Sequence, residues 1–162
     1  MKLIGSLLIC FSALLAQATF AAEPLSATLE VSKVIRTEQG KETLVPAESA
    51  KPGDVLEYRV IYKNLSDKPL RGLVANLPMP ADGVEFLLDS ARPSAVEATR
   101  DGAKFGPIPL KRRVAMPDGN YQEQLVPAVE YRTLRWPLGD LPAGGSKAVS
   151  ARVRISESTP TR

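Results

Sequence analysis

The sequence predicts an all-β protein built as an antiparallel two-sheet sandwich, and three observations lead there. The run Lys51–Asn64 opens on a Pro52-Gly53-Asp54 turn and then alternates without a slip. Leu56, Tyr58, Val60 and Tyr62 fall on one face, with Glu57, Arg59 and Lys63 on the other. The run Lys147–Ile155 repeats the pattern, with Val149, Ala151, Val153 and Ile155 against Ser150, Arg152 and Arg154. Fourteen prolines and eleven glycines punctuate the 162 residues, which suits many short strands and tight turns. No window beyond residue 25 carries a 3.6-residue apolar period. A closed barrel is the alternative architecture.

The remaining strands follow in order. The first lies near Thr28–Arg36. Leu29 and Val31 share a face there, Lys33 breaks the phase, and Val34-Ile35 are consecutive, so a bulge or a change of sheet is expected. Glu42–Val45 reads as a short edge strand. Leu70–Leu77 is a strand that Pro78-Met79-Pro80 closes, since neither proline can donate to a ladder. Val84, Phe86 and Leu88 mark one face of a strand over Val84–Leu88, and Ala95–Thr99 is a weaker strand before the Asp101-Gly102 turn. Residues 103–130 lack clean alternation and hold Pro107, Pro109, Pro117 and Pro127. Within them Met116-Pro117-Asp118-Gly119-Asn120 predicts a turn between strands at about Leu110–Ala115 and Tyr121–Val126. Leu134, Trp136 and Leu138 share a face on Tyr131–Leu138. The expected core comprises Leu56, Tyr58, Val60, Phe86, Leu134, Trp136, Val149 and Val153.

Residues 1–22 have the pattern of a cleaved secretory signal. Lys2 supplies the positive end, Leu3 to Leu15 the apolar stretch, and Ala16, Ala18, Ala21 and Ala22 the small residues near a cleavage site. Cleavage after Ala18 or Ala21 is expected. Cys10, the only cysteine, leaves with this segment, so the mature chain is expected to have no thiol and no disulfide. Residues 23–156 then form one domain with a sizeable core, and the polar residues 157–162 a flexible tail. The expected location is outside the cytoplasm, periplasmic or secreted, with no membrane-spanning segment after the signal. The 21 Lys and Arg against 18 Asp and Glu leave the chain close to neutral, which argues against a nucleic-acid partner.

Residues 52–64, Pro-Gly-Asp-Val-Leu-Glu-Tyr-Arg-Val-Ile-Tyr-Lys-Asn, resemble the signature of a bacterial extracytoplasmic repeat domain of unknown function (domain of unknown function eleven). The resemblance extends through Asn76-Leu77-Pro78, Gly83–Ser90 and Trp136–Ser146, covering most of residues 50–155. It departs at Asn76, where the family often has Asp, and at 103–130, which reads as a hairpin-like insertion. The resemblance implies an immunoglobulin-like sandwich, a place in the cell envelope and no enzymatic activity.

The residues themselves offer little for chemistry. The chain has no histidine, hence no imidazole base or metal ligand. No Gly-x-Ser-x-Gly elbow, P-loop or dinucleotide motif occurs. Asp82, Glu85 and Asp89 read as a solvated strand face rather than a paired-carboxylate site. Asp118 and Asn120 lack the Asp-x-Asp spacing of a calcium loop. Asn64-Leu65-Ser66 is formally a glycosylation acceptor, but Asn64 is expected to shape a turn. Tyr58, Tyr62 and Trp136 share faces with aliphatic residues and are expected in the core rather than on a sugar platform. No catalytic, cofactor or metal residue is predicted.

The candidate interaction surface is Lys111, Arg112, Arg113, Asp118, Asn120 and Tyr121. The basic run reads either as a contact for anionic lipid or glycan or as a soluble edge strand. The function expected is that of a non-catalytic structural or interaction module of the envelope, able to lend a sheet edge to an envelope protein or polymer. The alternative is a glycan- or envelope-lipid-binding accessory protein acting through the insertion.

Overall fold

A computed structural model describes residues 23–80 and 82–156, so the predicted signal segment, its cleavage site and the tail at 157–162 lie outside the described residues. The described chain is all-β. Its strands are β1 (Leu25–Arg36), β2 (Glu42–Pro46), β3 (Val55–Asn64), β4 (Leu70–Pro78), β5 (Val84–Phe86), β6 (Glu97–Thr99), β7 (Gly106–Pro107), β8 (Lys111–Ala115), β9 (Tyr121–Leu125), β10 (Thr133–Leu141) and β11 (Ser146–Ile155). Two short 3₁₀ turns, Leu88–Ser90 and Ala128–Glu130, are its only helical pieces.

The strands form two facing antiparallel sheets, ordered β2-β1-β3-β11-β5 and β4-β10-β6-β7, and a separate β8-β9 hairpin. The two strands that alternate most cleanly, β3 and β11, lie side by side in the middle of the first sheet. Val60 pairs with Val149 and Leu56 with Val153, so their apolar faces coincide. Alternation is sharp there because one face is dry and the other wet. On the wet face Arg152 bonds Glu57 at 2.8 Å and Glu42 at 2.7 Å. Across the dry interior stand Ala75 and Leu77 of β4, Leu134 and Trp136 of β10, and Ala98 of β6, all buried. Trp136 is 1% exposed, and its indole Nε1 donates to the Pro93 carbonyl at 2.8 Å, so its one polar atom is satisfied. The Pro52-Gly53-Asp54 turn has Gly53 at φ +87°, and Asp54 accepts from the Lys51 amide and the Lys33 ammonium.

Three expectations need correction. β1 carries no bulge and does not change sheets; its pairing with both β2 and β3 is regular. The irregularities fall instead in β10, between Pro137 and Gly139 and between Gly139 and Leu141. Gly139 takes φ +67°, which only glycine adopts easily, and the shift brings Leu141 into the core at 1% exposure. Leu88 does not continue the β5 face. The strand stops at Phe86, Leu88 opens a 3₁₀ turn, and its side chain is 42% exposed. The expected strand at Ala95–Thr99 is reduced to Glu97–Thr99.

Trp136→Ala empties the largest fully buried site in the interior. A loss of about 3–5 kcal/mol is expected, read as a lowered denaturation midpoint at unchanged m-value.

Candidate functional site

Residues 103–130 divide into a structural limb and a projecting one. β7 adds to β6 as the outermost strand of the second sheet. The Leu110 amide donates to the Tyr131 hydroxyl at 2.8 Å, and the Val126 amide to the Leu110 carbonyl at 2.9 Å. Val126 and Tyr131 are buried, and the Tyr131 ring lies 6.0 Å from that of Phe86. The segment therefore closes one end of the core. Only β8 and β9, with no ladder to either sheet, stand outward.

The predicted site residues all lie on that hairpin, but they do not form one patch. Strand alternation splits the basic run. Arg112 turns toward the body and meets Glu130 at 3.2 Å, whereas Lys111 meets Glu123 at 3.3 Å and Arg113 sits over the Tyr121 ring at 4.7 Å. Asp118 and Asn120 occupy the tip and bind each other: the Asn120 amide and side-chain nitrogen each donate to an Asp118 oxygen at 3.0 Å. These bonds hold the Asp118 carboxyl below its ordinary range. Tyr121 and Leu125 are 65% and 63% exposed. Among the described residues no three His, Cys, Asp or Glu side chains converge on a possible metal position, and no helix is long and apolar enough to cross a membrane.

Asn64 shapes the turn after β3 as expected, and its side chain is also fully buried. Its Nδ2 donates to the carbonyls of Lys68, Leu141 and Pro142, and its Oδ1 accepts from the Ser66 amide and hydroxyl. The folded domain offers no glycosylation acceptor at this amide. Tyr62 is buried as predicted; Tyr58 is half-buried at the margin of the core.

Two features escaped the sequence reading. The first is the core-facing side of β1. Leu29 and Val31 pair with Val60 and Tyr58, which places them on the inner face, yet they are 55% and 36% exposed; Ile35, two strand steps beyond Val31 on that face, is 38% exposed. β3 passes directly into β4 through residues 65–69, and β10 into β11 through 142–145. On the same face Leu56, Val60 and Tyr62 of β3 are buried, so cover by the second sheet falls off between β3 and β1. The second feature is the state of the sheet edges. β5 and β7 are three and two residues long, and β2 ends at Pro46. The long edge, β4, ends at Pro78, and its Gly72 amide donates to Asp140. These are features that blunt sheet edges.

No protein family, curated protein or solved structure matched the chain.

Two outcomes follow. Asp101 accepts from the Lys104 and Ala103 amides and the Thr99 hydroxyl, which lowers its carboxyl from 3.8 to about 2. A depressed folded value means stability present above the unfolded value and lost as pH falls. Acid denaturation should draw on Asp101 between about pH 4 and pH 2, and Asp101→Asn should flatten that part of the stability profile. Replacing residues 112–124 with a two-residue Asn-Gly turn should leave a cooperatively melting domain. Excising 101–127 should uncover the core around Phe86 and Tyr131 and abolish the cooperative transition in calorimetry.

Proposed function

We propose that the domain is a non-catalytic, exported interaction module of the bacterial cell envelope. It engages an apolar β surface of a partner protein through the open flank formed by the inner face of β1. The observation that carries this reading is the strip Leu29, Val31 and Ile35 on the core-facing side of a sheet, with no second layer above it. A monomeric sandwich gains nothing from leaving such residues wet; covering what remains exposed of each would contribute on the order of 0.5–1.5 kcal/mol. The one charge on this face, Lys33, is held by Asp54 at 2.6 Å, so the strip presents no free charge to an occupant. The strip lies on a sheet face, with β1 paired on both sides by β2 and β3, which favours side-chain packing over main-chain strand addition as the means of contact.

The motif order from Pro52-Gly53-Asp54 to Ser146 supports relation to the extracytoplasmic repeat domains. Two facing antiparallel sheets support an immunoglobulin-like sandwich in the broad sense. The strand order is its own, since β11 closes the sheet of β1 and β3, whereas the last strand of an immunoglobulin constant domain joins the opposite sheet. The residue pattern at 1–22 supports export, and the absence of histidine from the chain supports a non-catalytic role.

A photocrosslinking side chain at position 29, in intact cells, should give a discrete protein adduct. Val31→Glu should abolish the adduct, with stability within about 0.5 kcal/mol of the parent because the side chain is exposed. The same probe at Arg59, on the outer face, should give none. Equal adducts at 29 and 59, or an adduct unaffected by Val31→Glu, would remove the open flank from the interaction.

A further inference from the structure

Between β7 and the base of the hairpin lies a groove of about 550 Å³. Its walls are Phe105, Pro107, Ile108, Pro109, Leu110 and Val126, an apolar set. Its volume falls within the range of small-molecule sites, roughly 300–1,000 Å³. The groove is preformed. The Leu110 and Val126 backbone bonds described above fix one wall, and Phe105 is pinned on the opposite side beneath the Arg135 guanidinium, 3.8 Å from its ring centre.

The rim carries Arg100, Lys104 and Lys111 against one carboxylate, Asp101. Asp101 is committed to the Ala103 and Lys104 amides and the Thr99 hydroxyl, so it offers the rim cations little compensation. Lys111 pairs with Glu123 at 3.3 Å, but both side chains are more than half exposed, and such pairs exchange partners at little cost. Arg100 is tied to Glu130 at 2.8 Å. Lys104 has no carboxylate within pairing distance among the described residues.

We propose that this groove binds a monomeric single-chain anionic amphiphile of the fatty-acid type, with its chain along Ile108, Leu110 and Val126 and its headgroup at Lys104 and Lys111. The apolar walls offer nothing to a bare inorganic anion or a sugar, whose hydration they would strip without replacement. The cationic rim favours a charged headgroup over a neutral one. The site shares no residue with the open flank of β1, so each can fail without the other.

The test is a titration of ¹⁵N-labelled protein with dodecanoate below its micelle concentration. Saturable shifts are expected at the amides of Phe105, Ile108, Leu110 and Val126. Dodecanol should bind there about tenfold more weakly, and inorganic phosphate should produce no shifts. Lys104→Glu combined with Lys111→Glu should weaken dodecanoate about tenfold and leave dodecanol and the melting temperature unchanged. Val31→Glu should leave dodecanoate binding intact. Equal affinity for dodecanoate and dodecanol would overturn the headgroup assignment. Shifts confined elsewhere, or binding only to phosphatidylglycerol vesicles with no shifts in the groove, would overturn the site.

Discussion

One buried amide joins the two sheets at their common end. Asn64 is the last residue of β3, and its side chain reaches both crossings between sheets. It bonds Lys68 and Ser66 in the crossing from β3 to β4, and Leu141 and Pro142 where β10 turns into β11. Its backbone amide donates to Gly145, and the neighbouring Leu65 amide to Pro24, so the entry to β1 is gathered into the same knot. A buried amide that satisfies several carbonyls at once is costly to replace, because each would otherwise be dry and unpaired. The pairing of β3 with β11, and of β4 with β10, starts from this point. So does the alignment of Leu56, Val60, Val149 and Val153 opposite Leu77, Leu134 and Trp136.

The inner face of β1 is left bare. The short connections carry the chain from β3 of the first sheet to β4 of the second and from β10 back to β11, while β1 and β2 lie beyond β3 in the first sheet. The first sheet gains two strands on that side that the second does not match. At the other end the shortage is made good by the chain between β6 and β10. There Val126 and Tyr131 close the core beside Phe86, and β7 widens the second sheet. The molecule is thus sealed on one flank and open on the other. Its sealed flank carries the groove with the cationic rim, and its open flank the apolar strip.

The lining of the groove shows how far an irregular stretch can be structural. The prolines at 107 and 109 interrupt regular pairing, as their missing donors require. They nonetheless stand against Leu110 and Val126; the Leu110 amide donates to the Tyr131 hydroxyl, and the Val126 amide to the Leu110 carbonyl. A single hydroxyl replaces what a strand would otherwise supply. The hairpin beyond it satisfies itself through Arg113 and Tyr121, Lys111 and Glu123, and Asp118 and Asn120.

The sequence by itself determined the all-β class, the central strands, the burial of Trp136 and the turn at Pro117–Asn120. Each of these is written locally. Alternation of period two at Leu56–Tyr62 and Val149–Ile155 leaves one arrangement that dries one face and wets the other, and a Pro-Asp-Gly-Asn segment has one inexpensive backbone path. Tertiary structure alone decided the burial of Asn64, the exposure of Leu29 and Val31, the pairing of Arg112 with Glu130, and the meeting of Phe105, Leu110 and Val126 in one groove. Strand periodicity says which residues share a face but not whether a second layer covers that face. Leu29 and Val60 therefore look alike in the sequence, while one is wet and the other dry. What separates them is cover by the second sheet, which reaches Val60 and not Leu29 and is supplied by strands far from β1 in sequence.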